Sequence, residues 1–200
     1  MFEGGEMSKY HTTEIVCPAC KKPYNIQIWD SVNAQINPEK KEEILSNTFY
    51  KTICPHCNEE TDCVYDFLYH DMNKKYMISM LQGYPQDMLK EITKSGYSLR
   101  KVDGINQLIE KIRIFDAGLN DIVVEIMKKI VVQINKLNTD LLFCEIDKGN
   151  FVFLMLKEEK AILAPSQVYD TVLKHCTKDD LKEYPKFMAV NQSYVEKLIE

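Results

Sequence analysis

Apolar and polar side chains alternate over Tyr24-Asn25-Ile26-Gln27-Ile28, the two-residue period of a strand with one buried face, and residues 12–16 lead toward it as a first strand. Between the two stretches stands Cys17-Pro18-Ala19-Cys20. The arrangement recurs. Residues 49–53 enter Cys54-Pro55-His56-Cys57, and residues 63–69 leave it with Cys63, Tyr65, Phe67 and Tyr69 on one face. Asp71-Met72-Asn73-Lys74 has the composition of a hairpin turn, with residues 76–81 as the returning strand.

Elsewhere the period becomes helical. Thirty-three residues (21–53) separate the cysteine pairs, and among them Asn37 reads as an N-cap and Pro38 as a first helical residue. Glu39, Glu42 and Glu43 suit the positive end of that helix, which is expected to run to about Thr48. Residues 85–94 predict a short helix stopped by Gly96, and residues 97–102 a strand. Ile105, Leu108, Ile109, Ile112 and Phe115 form one apolar stripe; Ile122, Val123, Ile126, Ile130 and Ile134 form another. Gly118 separates them, so an antiparallel helical hairpin is predicted over about residues 104–136. Residues 139–146 and 151–156 predict a β-hairpin about Asp147-Lys148-Gly149-Asn150. A strand at 161–164 and helices at 166–176 and 191–199 complete the chain. The expected fold is α+β: a zinc-ribbon-like β domain with an inserted short helix over residues 1–84, then a mixed helix and strand domain over residues 85–200.

The chemistry with the clearest spacing is that of Cys17, Cys20, Cys54 and Cys57. Two i, i+3 thiol pairs turn both sulfurs of each pair toward one point, and four thiolates close a tetrahedral shell around a zinc ion. Such a shell leaves no position for water or substrate, so the expected zinc is structural. Dithiol redox chemistry and an iron or iron–sulfur centre are the rivals for the same residues. His56 is a possible replacement ligand and Cys63 a spare one, against readings as a solvent-facing histidine and an apolar strand residue.

Composition narrows the partners. Of 200 residues, 25 are Lys or Arg and 30 Asp or Glu, a formal net charge of −5, which four thiolates around one zinc would take to about −7. That balance disfavours broad binding to nucleic acid or to an anionic membrane, since both require clustered cations. Lys21-Lys22 is the best basic patch, but Glu59, Glu60 and Asp62 follow the other cysteine pair and offset it. Seven cysteines, four in metal spacing, suit a reducing compartment. With a polar N-terminus unlike a signal peptide and no apolar run long enough to span a bilayer, the chain is expected to be cytosolic. Met7 is a second candidate start.

With those residues laid out, the chain resembles the CpXC family, whose members share two Cys-Pro-x-Cys motifs. The resemblance extends to Ile36-Asn37-Pro38-Glu39, Leu68-Tyr69-His70-Asp71 and Leu99-Arg100-Lys101-Val102. It continues through Glu110-Lys111-Ile112 and Ile114-Phe115-Asp116-Ala117-Gly118-Leu119-Asn120-Asp121, covering about residues 12–135. It implies a paired-knuckle architecture and supplies no reaction or substrate. Zinc-ribbon knuckles often carry Gly after the second Cys, where φ is positive; here Lys21 and Asn58 stand there, and Asn tolerates that conformation better than Lys.

Outside the cysteines, His70, Asp71, Arg100 and Glu110 form the most interesting polar set. One reading is an acid/base or anion-binding cluster between the two domains, the other a buried network with Arg100 paired to a carboxylate. Glu110, Lys111, Lys128 and Lys129 are expected on solvated helix faces and Cys144 in the core. His175 and Cys176, as helix neighbours, diverge by about 100° and form no dyad. No P-loop, dinucleotide glycine motif, GxSxG or HExxH sequence occurs. The leading expectation is a zinc-binding protein-interaction or adaptor module. An enzyme using His70, Asp71, Arg100 and Glu110 is the alternative, and a nucleic-acid-binding ribbon a third.

Overall fold

The computed structural model describes residues 8–80 and 86–199. Strands β1 (Lys9–Val16) and β2 (Pro23–Asn33) flank the first cysteine pair and run antiparallel. Helix α1 (Pro38–Leu45) starts on Pro38 as expected, but Asn37 makes no side-chain cap; its amide donates to Glu39 Oε1 at 2.8 Å instead. Strands β3 (Lys51–Ile53) and β4 (Glu60–Asp62) form a small antiparallel ladder around the second pair. The single strand expected over residues 63–69 is not formed. Residues 63–67 are irregular, and pairing resumes only at β5 (Leu68–Asp71), followed by β6 (Tyr76–Ser79). Residues 81–85, which include the expected end of that returning strand at Leu81, the expected helix start at Pro85 and the expected domain boundary, lie outside the described residues.

Helix α2 (Gln86–Lys94) leads to β7 (Ser98–Lys101), then α3 (Ile105–Asp116) and α4 (Asp121–Ile134). The Asn120 carboxamide accepts from the N–H groups of Ile122 and Val123, capping α4. Strands β8 (Leu141–Asp147) and β9 (Asn150–Met155) turn through Lys148 and Gly149, whose φ values of 46° and 78° are those of the tight turn favoured in hairpins. Strand β10 (Lys160–Pro165) and helices α5 (Ser166–His175) and α6 (Gln192–Ile199) follow. The described residues thus form six helices and three sheets, a mixed α+β protein. None of these helices is long and apolar enough to cross a membrane.

The order β1-β2-β5-β6-β7 of the main sheet positions everything else. β5 joins β2 in parallel through Ser31, Val32 and Asn33, and β7 joins β6 in parallel, so the sheet takes strands from both sides of residue 84. Met188 bonds across the outer edge of β7, donating to Leu99 and accepting from Lys101. One face of the sheet packs with α1 and α3 in a core of Trp29, Val32, Ile44, Tyr69, Ile78 and Leu108. The opposite face carries Met77 and Leu99 against Leu89 of α2. A second core joins α4 and α5 to the three-stranded sheet through Phe143, Phe151, Phe153 and Val124, and Ile114 of α3 reaches into it.

Two core assignments change. Ile134 is 74% exposed at the end of α4, because the apolar face rotates onto Val124, Met127 and Val131. Cys144 sits half-buried at an irregularity of β8, while Leu141 and Phe143 point inward.

Candidate metal centre

Each Cys-Pro-x-Cys turn is closed by the same pair of main-chain bonds. Cys17 N–H donates to Lys22 O at 3.0 Å and Lys21 N–H to Cys17 O at 3.0 Å; Cys54 N–H donates to Glu59 O and Asn58 N–H to Cys54 O, both at 2.9 Å. Lys21 and Asn58 both adopt φ of 59°, so the two turns match even though one left-handed position holds a lysine. Main-chain N–H groups also point at sulfur, as His56 N–H does at Cys54 Sγ (3.4 Å).

The matched turns bring four sulfurs within 4.8 Å of one another. Contacts cross between turns: Cys17 Sγ lies 3.6 Å from Cys57 Sγ, and Cys20 Sγ 3.7 Å from Cys54 Sγ. These separations far exceed a disulfide bond of about 2.05 Å. They match the ~3.8 Å edge of a tetrahedron with metal–sulfur bonds of about 2.3 Å. The N–H groups of Cys20 and Ala19 draw the Cys17 thiol down to about 7 despite its burial. Cys57 goes the other way: the Glu59 N–H favours its thiolate, but burial and the three neighbouring sulfurs push it up to about 12. Four thiols this close cannot all ionise without a cation among them.

Neither spare ligand joins the cluster. His56 turns its ring to the main chain, with Nε2 3.1 Å from Pro23 O, and ties the second turn to the start of β2. Cys63 packs on the apolar side of the cluster with Ile15 and Ile28.

The other polar set is divided by the sheet. His70 stands opposite Met77 and, through it, Leu99; Tyr69 stands opposite Ile78 and, through it, Arg100. Alternation therefore places His70 and Arg100 on opposite faces. His70 is buried with Nε2 3.1 Å from Tyr97 Oη, while its Nδ1 has no partner among the described residues. Burial lowers it to about 4, against a smaller opposing pull from Asp71. Asp71 shares a face with Arg100 but accepts from Gln35 and from the Lys74 N–H, 2.9 and 3.0 Å away.

Arg100 begins a buried chain of charges. Its guanidinium holds Asp121 by two bonds of 2.8 Å and Glu183 by bonds of 2.6 and 2.7 Å. Lys111 Nζ sits 3.0 Å from Asp121 and 3.4 Å from Glu125, and Lys128 Nζ 3.0 Å from both Glu125 and Glu110. Glu110 finally accepts from the Phe143 N–H at 2.6 Å, capping the open edge of β8. Glu110, Lys111 and Lys128 are thus buried, contrary to the solvated faces expected of them. Glu110 and Lys111 on α3 and Lys128 on α4 are enclosed by packing, and only mutual pairing makes their burial tolerable.

Burial opposes the charge on Asp121, but Arg100 and Lys111 outweigh it and hold the carboxyl well below its usual range. At the other end burial dominates and raises Glu110, against the pull of Lys128. Three cations thus face four carboxyls, and Glu110 is the carboxyl raised toward holding a proton. The pairing of Arg100 was legible; Asp121, Glu125 and Glu183 were not singled out, although Asp121 lies in the motif that opens α4. Glu110, Lys111, Glu125 and Lys128 floor a cleft of about 530 Å³ between the first turns of α3 and α6.

Among known proteins, a family model described as CpXC protein matches residues 15–128, more than half of the chain. The span takes in both cysteine turns, the five-stranded sheet from its second to its last strand, and Arg100 through Glu125. No curated protein and no solved structure matches the chain.

Proposed function

The chain belongs to the CpXC family, and from that premise we propose a cytosolic zinc protein whose metal is structural and whose role is to present a binding surface to another protein. The observation that carries this reading is the donor set: four sulfurs, spaced as one tetrahedral ion requires, with no imidazole or carboxylate among them. Cys17, Cys20, Cys54 and Cys57 would hold the ion. Its bound charge would neutralise thiolates that otherwise repel, and would cross-link two hairpins. Each turn ends a two-stranded antiparallel ladder, β1–β2 or β3–β4, which supports a zinc-ribbon-like unit elaborated by α1. A four-thiolate shell offers no site for substrate, so the metal serves the fold.

Metal analysis of the purified chain tests this directly. One zinc per chain and a chelator-sensitive melting transition are expected; a chain that carries none and melts at the same temperature with or without chelator would overturn the reading.

A second reading rests on the cleft floored by Glu110, Lys111, Glu125 and Lys128, where buried charges of both signs line an opening large enough for a metabolite. It takes a small ligand bearing both ammonium and carboxylate groups. A thermal-shift screen with amino acids and small zwitterions tests it: a melting-point rise lost in Lys128→Met supports it, and the absence of any rise sinks it.

A further inference from the structure

We propose that an extended segment of a partner protein docks as a strand between β2 and β3, pairing its main chain with both. The inference deepens the protein-interaction reading above and rests on it.

Among the described residues, β2 has β1 on one side only over residues 23–30, because β5 joins it no earlier than Ser31. Among the same residues, β3 has β4 on one side only. A cleft of about 390 Å³ lies between these two strands, walled by residues 24–27 of the first, residues 51–53 of the second and Thr48, which precedes it. Successive side chains of a strand point to opposite faces, so a consecutive run along one wall presents the edge of the strand, not a face. An edge offers a row of main-chain N–H and C=O groups. Here the Lys51 N–H is already given to Thr48 O at 3.0 Å and the Trp29 N–H to the Tyr65 hydroxyl, so pairing draws on the remaining groups of each row. The ligand chemistry that matches two such rows at once is another extended backbone.

The ends and floor define the segment. Pro55, beside the His56 ring that meets Pro23 O, lines the cleft, and β5 takes over the same edge of β2 from Ser31 onward. β3 is three residues long, so about three residues of the partner, roughly 10 Å, pair on both sides, with more along β2 alone. Trp29, Phe49, Tyr50 and Tyr65 supply an aromatic floor, with Lys40 Nζ 5.4 Å from the Trp29 ring centroid. Tyr24 also lines the cleft; it is 7% exposed, and its hydroxyl has no partner among the described residues. The segment therefore takes an apolar side chain facing the aromatic floor.

Both walls are anchored at the cysteines. β2 starts at Pro23, three residues after Cys20, and β3 ends at Ile53, next to Cys54. The four-sulfur cluster thus sets the distance between the walls, and docking depends on it.

The test uses the full, zinc-loaded chain and a displayed library of random seven-residue peptides. Trp29 is the sole tryptophan, so its fluorescence reports occupancy of the cleft. Selected peptides are expected to shift Trp29 emission and to slow amide exchange in both 23–30 and 51–53. N-methylation of alternate peptide nitrogens, which removes donors and keeps side chains, is expected to weaken binding about tenfold for each bond lost. Failure of the library to yield a binder, protection of neither strand, or indifference to N-methylation overturns the proposal. So does competition by an oligothymidylate for the same cleft, which would identify a nucleic-acid groove. Chelation separates the two readings. Zinc-dependent folding with peptides bound elsewhere removes the docking slot alone, whereas peptide binding unchanged by chelation removes the structural role of the metal.

Discussion

His70 and Arg100 occupy adjacent residue levels of one sheet yet point to opposite faces, separated by the thickness of the sheet itself. His70 enters an apolar pocket beside Tyr97, and Arg100 enters a run of carboxylates. The four residues suggested by sequence as one acid/base cluster are therefore separated: a neutral imidazole on one face, Arg100 and Glu110 in a buried charge network on the other, and Asp71 held by Gln35 and the Lys74 N–H.

The neutral imidazole makes stability depend on pH. The unfolded chain takes up a proton near 6.5, while folded His70 does so only near 4. Between these values the unfolded state binds more protons, so stability falls as pH drops from 6.5 toward 4. The loss is on the order of 2 kcal/mol. Urea titrations at pH 7 and pH 4.5 should show it, and His70→Gln should abolish this part of the dependence. An unchanged dependence in the variant would assign it to other groups.

On the ionic face, Asp121 is the hinge of the network, since it faces both Arg100 and Lys111. Asp121→Ala leaves two buried cations short of a counter-charge and should cost about 3–5 kcal/mol. Arg100→Met with Asp121→Leu, which removes charge from both sides, should cost less than the sum of the single changes. Denaturation of Arg100→Met, Asp121→Leu and the double variant decides it; strict additivity would show that the two groups act independently.

Removing a sulfur should act on the whole N-terminal region. Cys54→Ser is expected to lose the metal and to lower the melting temperature by several degrees, with faster amide exchange in β1 to β4. Cys63→Ser and Cys176→Ser, outside the cluster, should keep full metal content. Metal content measured beside the melting temperature distinguishes loss of a ligand from general destabilisation.

Lys21 and Asn58 share φ of 59° in matched turns, which gives an internal comparison. Lys21→Gly should be neutral to stabilising by up to about 1 kcal/mol, because relief of the left-handed backbone offsets the added freedom of the unfolded chain. Asn58→Gly should gain less, since asparagine already tolerates that region. Equal responses would show that the lysine carries no particular strain.

Much of this was legible locally. The cysteine spacing named the four clustered residues, the hairpin at Lys148-Gly149 followed from turn chemistry, and the two apolar stripes broken at Gly118 gave α3 and α4. Local patterns misled where burial was decided by distant partners. Glu110, Lys111 and Lys128 read as a solvated face because single charges do not reveal that they will meet. The strand expected over residues 63–69 failed because alternation alone supplies no hydrogen-bonding neighbour, and only residues 68–71 find one in β2 and β6.

By itself, then, the sequence determined what depends on near neighbours: periods of two and 3.6 residues, turn conformations, and two thiol pairs folded onto their own main chain. Tertiary structure alone decided the two parallel joins, β2 to β5 and β6 to β7, which send His70 and Arg100 to opposite faces and leave β2 and β3 with open edges across a shared cleft. The reason is physical. Strand pairing and charge pairing are contacts between segments far apart in the chain, and no local period encodes which segment will supply the partner.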